Sequence, residues 1–326
     1  MSNNTSTVQS ATIQIYVLSS INSVLGTIQI IGNLWIIVAI VFTKSLHRKE
    51  FYLPVFLALA DFSWGFGIGF SGIRRIYLAR IGQAASKISR RYCTLLPMTY
   101  AMIFGGIASS GTLMLISIDR CIACCNIQAY MQLTDSRVLA AGALWFMLVN
   151  AFILANYLAI YLQPLHSEVH IFCYGNRVLL QPMNKVSSSL QLSTAALSVL
   201  IYLIALLGLR LGLASKDISE VMRQNKERQA RVTKMLSYVV VCTFLLLVLT
   251  VGLVVLAQQL EIKLETLHTL TPMLSILVTC NYANNFIIYL IKNTEMRTAM
   301  LGLFGKFGKS LTAVGQAPGN TQNSAL

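Results

Sequence analysis

Apolar residues in this chain gather in long unbroken runs separated by short polar stretches. Seven runs reach the roughly 20 residues that a helix needs to cross a bilayer core about 30 Å thick. They lie at approximately Ile13–Phe42, Phe51–Ile73, Thr94–Ile118, Val138–Pro164, Val186–Leu209, Met235–Leu260 and Leu270–Ile291. Six of the seven contain no Asp, Glu, Lys or Arg, and the exception, the second, holds Asp61. The pattern predicts an all-α polytopic membrane protein, a seven-transmembrane helix bundle over residues 13–291. Residues 1–12 read as a short polar tail. The first run is too long for the apolar core of a cleaved signal, so it is expected to act as an uncleaved anchor. The segment Arg210–Lys234 reads as helical extensions of spans five and six. Beyond the last run, Met296, Met300, Leu303 and Phe307 recur at helical spacing among Lys292, Arg297, Lys306 and Lys309. That predicts a short amphipathic eighth helix over 292–309 lying in contact with membrane lipids. Residues 310–326 read as a disordered cytoplasmic tail.

Composition agrees. Of 326 residues, 56% are hydrophobic and 11% charged, against about 25% charged in a soluble domain. The net charge of +14 does not imply a nucleic-acid partner, because the charges sit between the apolar runs rather than along one soluble face. Cytoplasmic loops concentrate Lys and Arg. With the N-terminus outside, sixteen of the twenty-five basic residues fall on the inner side. The N-terminal tail carries none, and its overlapping sequons at Asn3 and Asn4 suit a glycosylated outer end. One loop points the other way: Arg74, Arg75, Arg80, Lys87, Arg90 and Arg91 all fall between spans two and three, on the outer side. This stretch is open to three readings: a solvated or headgroup-contacting loop, a basic vestibule that steers an anionic ligand, or an inverted topology.

Of seven cysteines, only Cys93 and Cys173 are expected on the outer, oxidising side, where a bridge would pin the loop after span four across the bundle mouth. Cys242 and Cys280 read as packing residues within spans. Cys121, Cys124 and Cys125 read as inner thiols, with Cys124 and Cys125 also open to palmitoylation. Asp61 sits near the middle of its span. A central Asp costs about 2.5–3.5 kcal/mol on insertion scales, so it is expected to face the bundle and find partners. Asn281, Asn285 and Tyr289 share one face of span seven; Ser109 on span three and Asn33 on span one are further candidates. Ser109, Leu113, Ile116 and Arg120 form one stripe from mid-membrane to the inner mouth. Either a fixed polar glue between helices or a network that rearranges during signalling fits these residues.

In this order and spacing, the residues resemble the rhodopsin-like (class A) G-protein-coupled receptors. Gly32-Asn33, Leu57-Ala58-Leu59-Ala60-Asp61, Ser117-Ile118-Asp119-Arg120-Cys121, Trp145 and Asn285-Phe286-Ile287-Ile288-Tyr289 resemble that family's motifs on successive spans. Cys93 with Pro97, then Ile118-Asp119-Arg120-Cys121-Ile122-Ala123 and Tyr130, resembles the nematode serpentine chemoreceptors of the Srsx class. The resemblance implies a non-enzymatic chemosensory receptor of the plasma membrane that binds an extracellular ligand and activates a heterotrimeric G protein through Asp119, Arg120 and Tyr289. It also implies an allosteric sodium ion at Asp61, Ser109, Asn281 and Asn285, with Asn33 in the same network.

The chain departs from that pattern in several places. Phe286 replaces the span-seven proline, and span six has neither Trp nor Pro near Leu246–Leu249. Gln229 stands where many members carry the acid that locks the span-three arginine, so a glutamate there is expected to lower basal activity. Span seven has no lysine for a retinal Schiff base, and Met102 stands where amine receptors carry Asp. The rival class, a transporter or channel, would show inverted repeats, broken helices or several intramembrane charges. No zinc-ligand cluster, nucleophile elbow or paired acids suggest an enzyme. His166 and His170 are four residues apart but lack a third ligand.

Overall fold

The computed structural model describes residues 3–163, 167–214, 220–250, 252–253 and 264–303. The helices are α1 (Asn3–Phe42), α2 (Lys49–Arg80), α3 (Arg90–Leu95), α4 (Pro97–Cys125), α5 (Ile127–Gln132), α6 (Asp135–Tyr161), α7 (Gly175–Val178), α8 (Gln181–Ala214), α9 (Glu220–Thr243) and α10 (Leu264–Lys292). Among the described residues, six helices are long and apolar enough to cross a membrane: α1 from Ile13, α2, α4, α6, α8 to Leu211, and the stretch Gln229–Val248. The seventh apolar run falls on α10, where the side chains of residues 264–275 lie outside the described ones. The protein is a multi-pass membrane protein.

Several boundaries differ from expectation, each for a local reason. Helix α1 starts at Asn3 and takes in most of the stretch read as a polar tail. No Pro or Gly interrupts residues 3–12, and extending an existing helix costs far less than nucleating one. The Asn3 and Asn4 side chains lie outside the described ones. Helix α2 continues past Ile73 to Arg80, so Arg74, Arg75 and Arg80 are helical rather than loop residues. It stops at Gly82, whose φ of +74° lets the chain turn while Gln83 N–H bonds the Leu78 carbonyl at 2.9 Å.

The all-α expectation also missed one small antiparallel sheet, β1 (Lys87–Ser89) on β2 (Glu168–His170), with Ile88 opposite Val169. A disulfide joins Cys93 in α3 to Cys173 just after β2, across 80 residues of sequence. Together this two-stranded sheet and the bridge hold a lid over the end of α2 near Arg80 and the end of α4 near Pro97.

The packing is built around α4. In its most apolar 18-residue window 83% of residues are buried, against 22% in α6, whose Leu144, Met147, Leu148, Leu154 and Leu158 are exposed toward the surrounding lipid. Small residues allow close approach at the α1–α2 crossing. A Cβ on Gly26 would lie 2.6 Å from the Gly69 backbone nitrogen, so only glycine fits there.

The largest core cluster includes Ile36, Leu57, Leu113, Ile116, Tyr202, Val239 and Tyr289. Residues 294–303 form a helix, which Asn293 caps by accepting from the Met296 N–H at 3.0 Å. Met296 and Met300 on it are buried in that same cluster, and Leu303 packs against it. The apolar face expected to lie on lipid is instead docked on the bundle. Lys306, Phe307, Lys309 and all of 304–326 lie outside the described residues.

Candidate functional site

Two polar clusters occupy the bundle interior, joined by the stripe on α4. Ser109, Leu113, Ile116 and Arg120 are all buried along one face of that helix. Midway across, Asp61 is fully buried. Ser109 Oγ donates to its Oδ1 at 2.7 Å, and Asn285 Nδ2 donates to its Oδ2 at 2.6 Å. Helices α2, α4 and α10 are thus tied at one carboxylate, whose two oxygens each take one donor.

The other expected members of this network stand apart. Asn33 donates to the Gln29 carbonyl one turn earlier at 3.0 Å, and Gln29 in turn reaches the Thr279 carbonyl at 2.6 Å. Asn281 is 1% exposed with neither amide atom hydrogen-bonded among the described residues, and the buried Tyr289 hydroxyl has no partner there either. Gln29, which sequence reading passed over, therefore links α1 to α10. Its signal was an amide near the middle of a long apolar run, one turn before Asn33.

The second cluster centres on Arg120, 1% exposed. Its Nε donates to Asp119 Oδ2 at 3.0 Å and a terminal nitrogen makes a salt bridge to the same oxygen. The other terminal nitrogen donates to Gln229 Oε1 at 2.7 Å, and Tyr130 Oη accepts from the guanidinium at 2.9 Å. Burial is the main reason the Tyr130 phenol is pushed above its ordinary range, so near neutral pH it stays a hydroxyl. Lys49 closes the loop side, donating to the Tyr130 carbonyl at 2.5 Å with its ammonium 4.0 Å from the Tyr130 ring centre.

Gln229 does more than accept from Arg120. Its Nε2 donates to Glu50 Oε1 at 2.9 Å, and both residues are buried. An arginine on α4 is thereby connected through an amide on α9 to an acid on α2. Glu50 was missed because it directly precedes the second apolar run and reads as a boundary charge. Being the one acid next to Arg48 and Lys49 was the available clue. Close by, Tyr202 of α8 donates to the Thr233 carbonyl and Cys124 lies 3.4 Å from the Thr233 hydroxyl. Cys121, Cys124, Cys125, Cys242 and Cys280 are free thiols.

The two missing prolines have visible consequences. Helix α10 runs through Phe286 without a break, and the Phe286 ring sits where a Cβ on Gly32 would overlap it. In span six a π-helical stretch, Phe244–Val248, follows α9 directly at the position where the Trp and Pro are absent. Such π turns widen the helix by one residue and often sit at functional sites. The tryptophan of span four, Trp145, lies over Gly111 and donates to the Ala108 carbonyl at 3.1 Å.

No curated protein matches the chain. The profile of the serpentine type 7TM GPCR chemoreceptor Srsx family matches residues 25–304, which takes in both polar clusters, the disulfide and the docked helix after α10. The chain belongs to the Srsx family of serpentine seven-transmembrane chemoreceptors.

Proposed function

We propose that this protein is a seven-helix chemoreceptor of the plasma membrane, with its N-terminus outside, that binds a ligand in its outer half and activates a heterotrimeric G protein at its inner face. Helix α10 serves as the seventh span, and residues 294–303 as the eighth helix. The observation that carries the reading is the Arg120 cluster. A permanently charged guanidinium is buried at the inner end of the central helix and held by partners on four elements, Asp119, Gln229, Tyr130 and, through Gln229, Glu50. Burying that charge is costly unless it is paired. Outward movement of the inner half of α9 removes Gln229 from Arg120 and from Glu50 together, leaving the guanidinium open to a G protein. Asp119 stays with Arg120, being its neighbour on α4, and Tyr289 and Tyr202 line the space that α9 vacates.

The Asp61 cluster is the second element of the proposal. Its donor set suits a sodium ion: a carboxylate, the Ser109 hydroxyl and the amide oxygen of Asn281, which is buried without a partner among the described residues. Asp61, Ser109, Asn281 and Asn285 would hold the ion, which would screen the buried carboxylate and favour the resting packing of α2, α4 and α10. Asn33 supports this site from α1 rather than joining it.

Expression with a panel of G-protein biosensors, in cells matched for surface protein, tests the coupling reading. Arg120→Ala should abolish coupling at near-normal surface expression, whereas full coupling by that variant would refute the role assigned to Arg120. Impermeant labelling of a tag at residue 1 on intact cells checks the orientation.

A further inference from the structure

The basic outer segment resolves into charges with different fates. Arg80 and Lys87 are exposed. Arg74 donates to the Ile171 carbonyl at 2.5 Å and so helps fasten the lid. Arg91 donates to the carbonyls of Tyr161 at 2.9 Å and Gln163 at 2.5 Å. Arg90 is half-buried with its Nε also lacking a hydrogen bond, and Arg75 is buried more deeply than any of these. It is 9% exposed, its Nε is buried without a hydrogen bond, and no hydrogen bond or ion pair reaches it from any described residue. What it does touch is the face of Tyr174, 4.6 Å from guanidinium carbon to ring centre.

A guanidinium does not shed its proton. Burial of a guanidinium without an anion is costly, and a cation–π contact offsets only part of that cost. The position is therefore electrostatically unfinished in a way that a solvated loop charge is not. Its surroundings match an organic anion rather than a bare one. Tyr174, Phe172 and His170 form a small aromatic group beside it, with ring centres 4.6–6.0 Å apart. The lid carrying these rings is fixed by the Cys93–Cys173 bridge and by the Arg74 contact, so the rings are held in place in advance.

We propose that Arg75 is the anchor of the ligand site: the receptor takes a small organic anion, a carboxylate or sulfate on an apolar or aromatic body. The anionic group pairs with the Arg75 guanidinium in the two-pronged geometry that arginine offers, and the body lies against the Tyr174 group. The proposal rests on the receptor reading for its biological meaning but not for its test, which uses binding alone.

The test uses the purified full-length protein and its thermal unfolding midpoint. Sodium phenylacetate and sodium 4-phenylbutyrate serve as probes, with phenylacetamide and 4-phenylbutyramide as their uncharged matches. The acids should raise the wild-type midpoint at millimolar concentration and the amides should not. Arg75→Gln should remove the shift, and Arg75→Lys should weaken it by at least tenfold in half-effective concentration. Arg91→Gln should leave it intact. Without ligand, Arg75→Gln should unfold at or above the wild-type midpoint, since it relieves an uncompensated charge. A shift that survives in Arg75→Gln, equal shifts with the amides, or no shift with either acid overturns the assignment. So does a lower midpoint in both ligand-free Arg75→Gln and Arg75→Met, which would make Arg75 structural. A protein that binds these acids through Arg75 yet fails to couple refutes the proposed function and leaves the site standing.

Discussion

Replacing Gln229 by glutamate distinguishes a simple arginine lock from the three-residue relay. Judged against Arg120 alone, Gln229→Glu should tighten the resting state. The guanidinium donor is already ionised, so a glutamate acceptor turns an ion–neutral hydrogen bond into a full ion pair. The structure reverses that expectation, because Gln229 also donates to Glu50 at 2.9 Å. A glutamate at 229 loses the donor and sets two carboxylates at contact distance. Two like charges about 4 Å apart repel by about 1 kcal/mol in water and about 4 kcal/mol at an effective dielectric constant of 20. With Gln229 6% and Glu50 9% exposed, the upper half of that range applies. By the same Coulomb estimate the new attraction to Arg120 roughly cancels that repulsion, so the lost donor to the Glu50 carboxylate, about 1.5–3 kcal/mol, decides the sign, roughly 10- to 150-fold in the resting equilibrium. Basal signalling should rise in Gln229→Glu, not fall. Glu50→Gln removes the repulsion while keeping the new Arg120 bond, so Glu50→Gln/Gln229→Glu should signal below wild type. Basal biosensor output from the four members of this cycle, at equal surface level, gives the coupling energy. If Gln229→Glu alone silences the receptor as fully as the double variant, Glu50 does not sense position 229 and the relay is wrong.

Other perturbations act on separate parts of the fold. Closing a loop of 80 residues by the Cys93–Cys173 bridge stabilises by roughly 4 kcal/mol in the chain-entropy picture; Cys93→Ala/Cys173→Ala should lower the unfolding midpoint measurably, and an unchanged midpoint contradicts that contribution. Gly26→Val should cut surface expression severely, because backbone atoms of Gly65 and Gly69 at 2.6–2.7 Å from a Cβ cannot yield; immunodetection at wild-type level would show that α1 and α2 pack less tightly than described. Asp61→Asn should abolish any effect of sodium concentration on basal coupling, and the same sodium response in mutant and wild type would remove the ion from Asp61.

Apolar run length made the bundle legible in the sequence, since a bilayer accepts little besides helices of about that length. The contacts within it were legible only in part. Asp61, Ser109 and Asn285 were placed together because an isolated buried acid demands donors, and helical spacing brought the right faces round. Asn33 and Asn281 share those faces, but periodicity cannot tell a direct contact from one a turn away. Glu50 escaped for a different reason. It lies at a span boundary, where a charge is unremarkable until the fold shows it buried under α9. The docked helix after α10 carries the same lesson: the spacing of Met296, Met300 and Leu303 defined an apolar face, but whether lipid or protein covers it depends on where the preceding span ends. Arg75 is the sharpest case. In sequence it is one of six outer cations, and only its burial against the Tyr174 ring separates it from the rest.

The absence of two prolines bears on how the outer and inner sites communicate. A proline in the last long helix would leave a weak point there, yet α10 passes unbroken through Phe286, which packs on Gly32 of α1. Bending α10 at that level would have to break regular hydrogen bonds and unseat an aromatic ring. The line of α9 is different. At Phe244–Val248 the backbone is π-helical, with a wider turn and poorer hydrogen-bond geometry, and such bulges are among the few identifiable causes of helix kinks. The residues inward of this stretch are those that hold Arg120 and meet Tyr202, namely Gln229 and Thr233. The compliant part of span six thus separates the inner lock from everything nearer the lid. A ligand that shifts the outer half needs no proline to release Arg120. It needs only to bias the bend at Phe244–Val248, against a lock to which α9, among the described residues, contributes two hydrogen bonds from the single amide of Gln229.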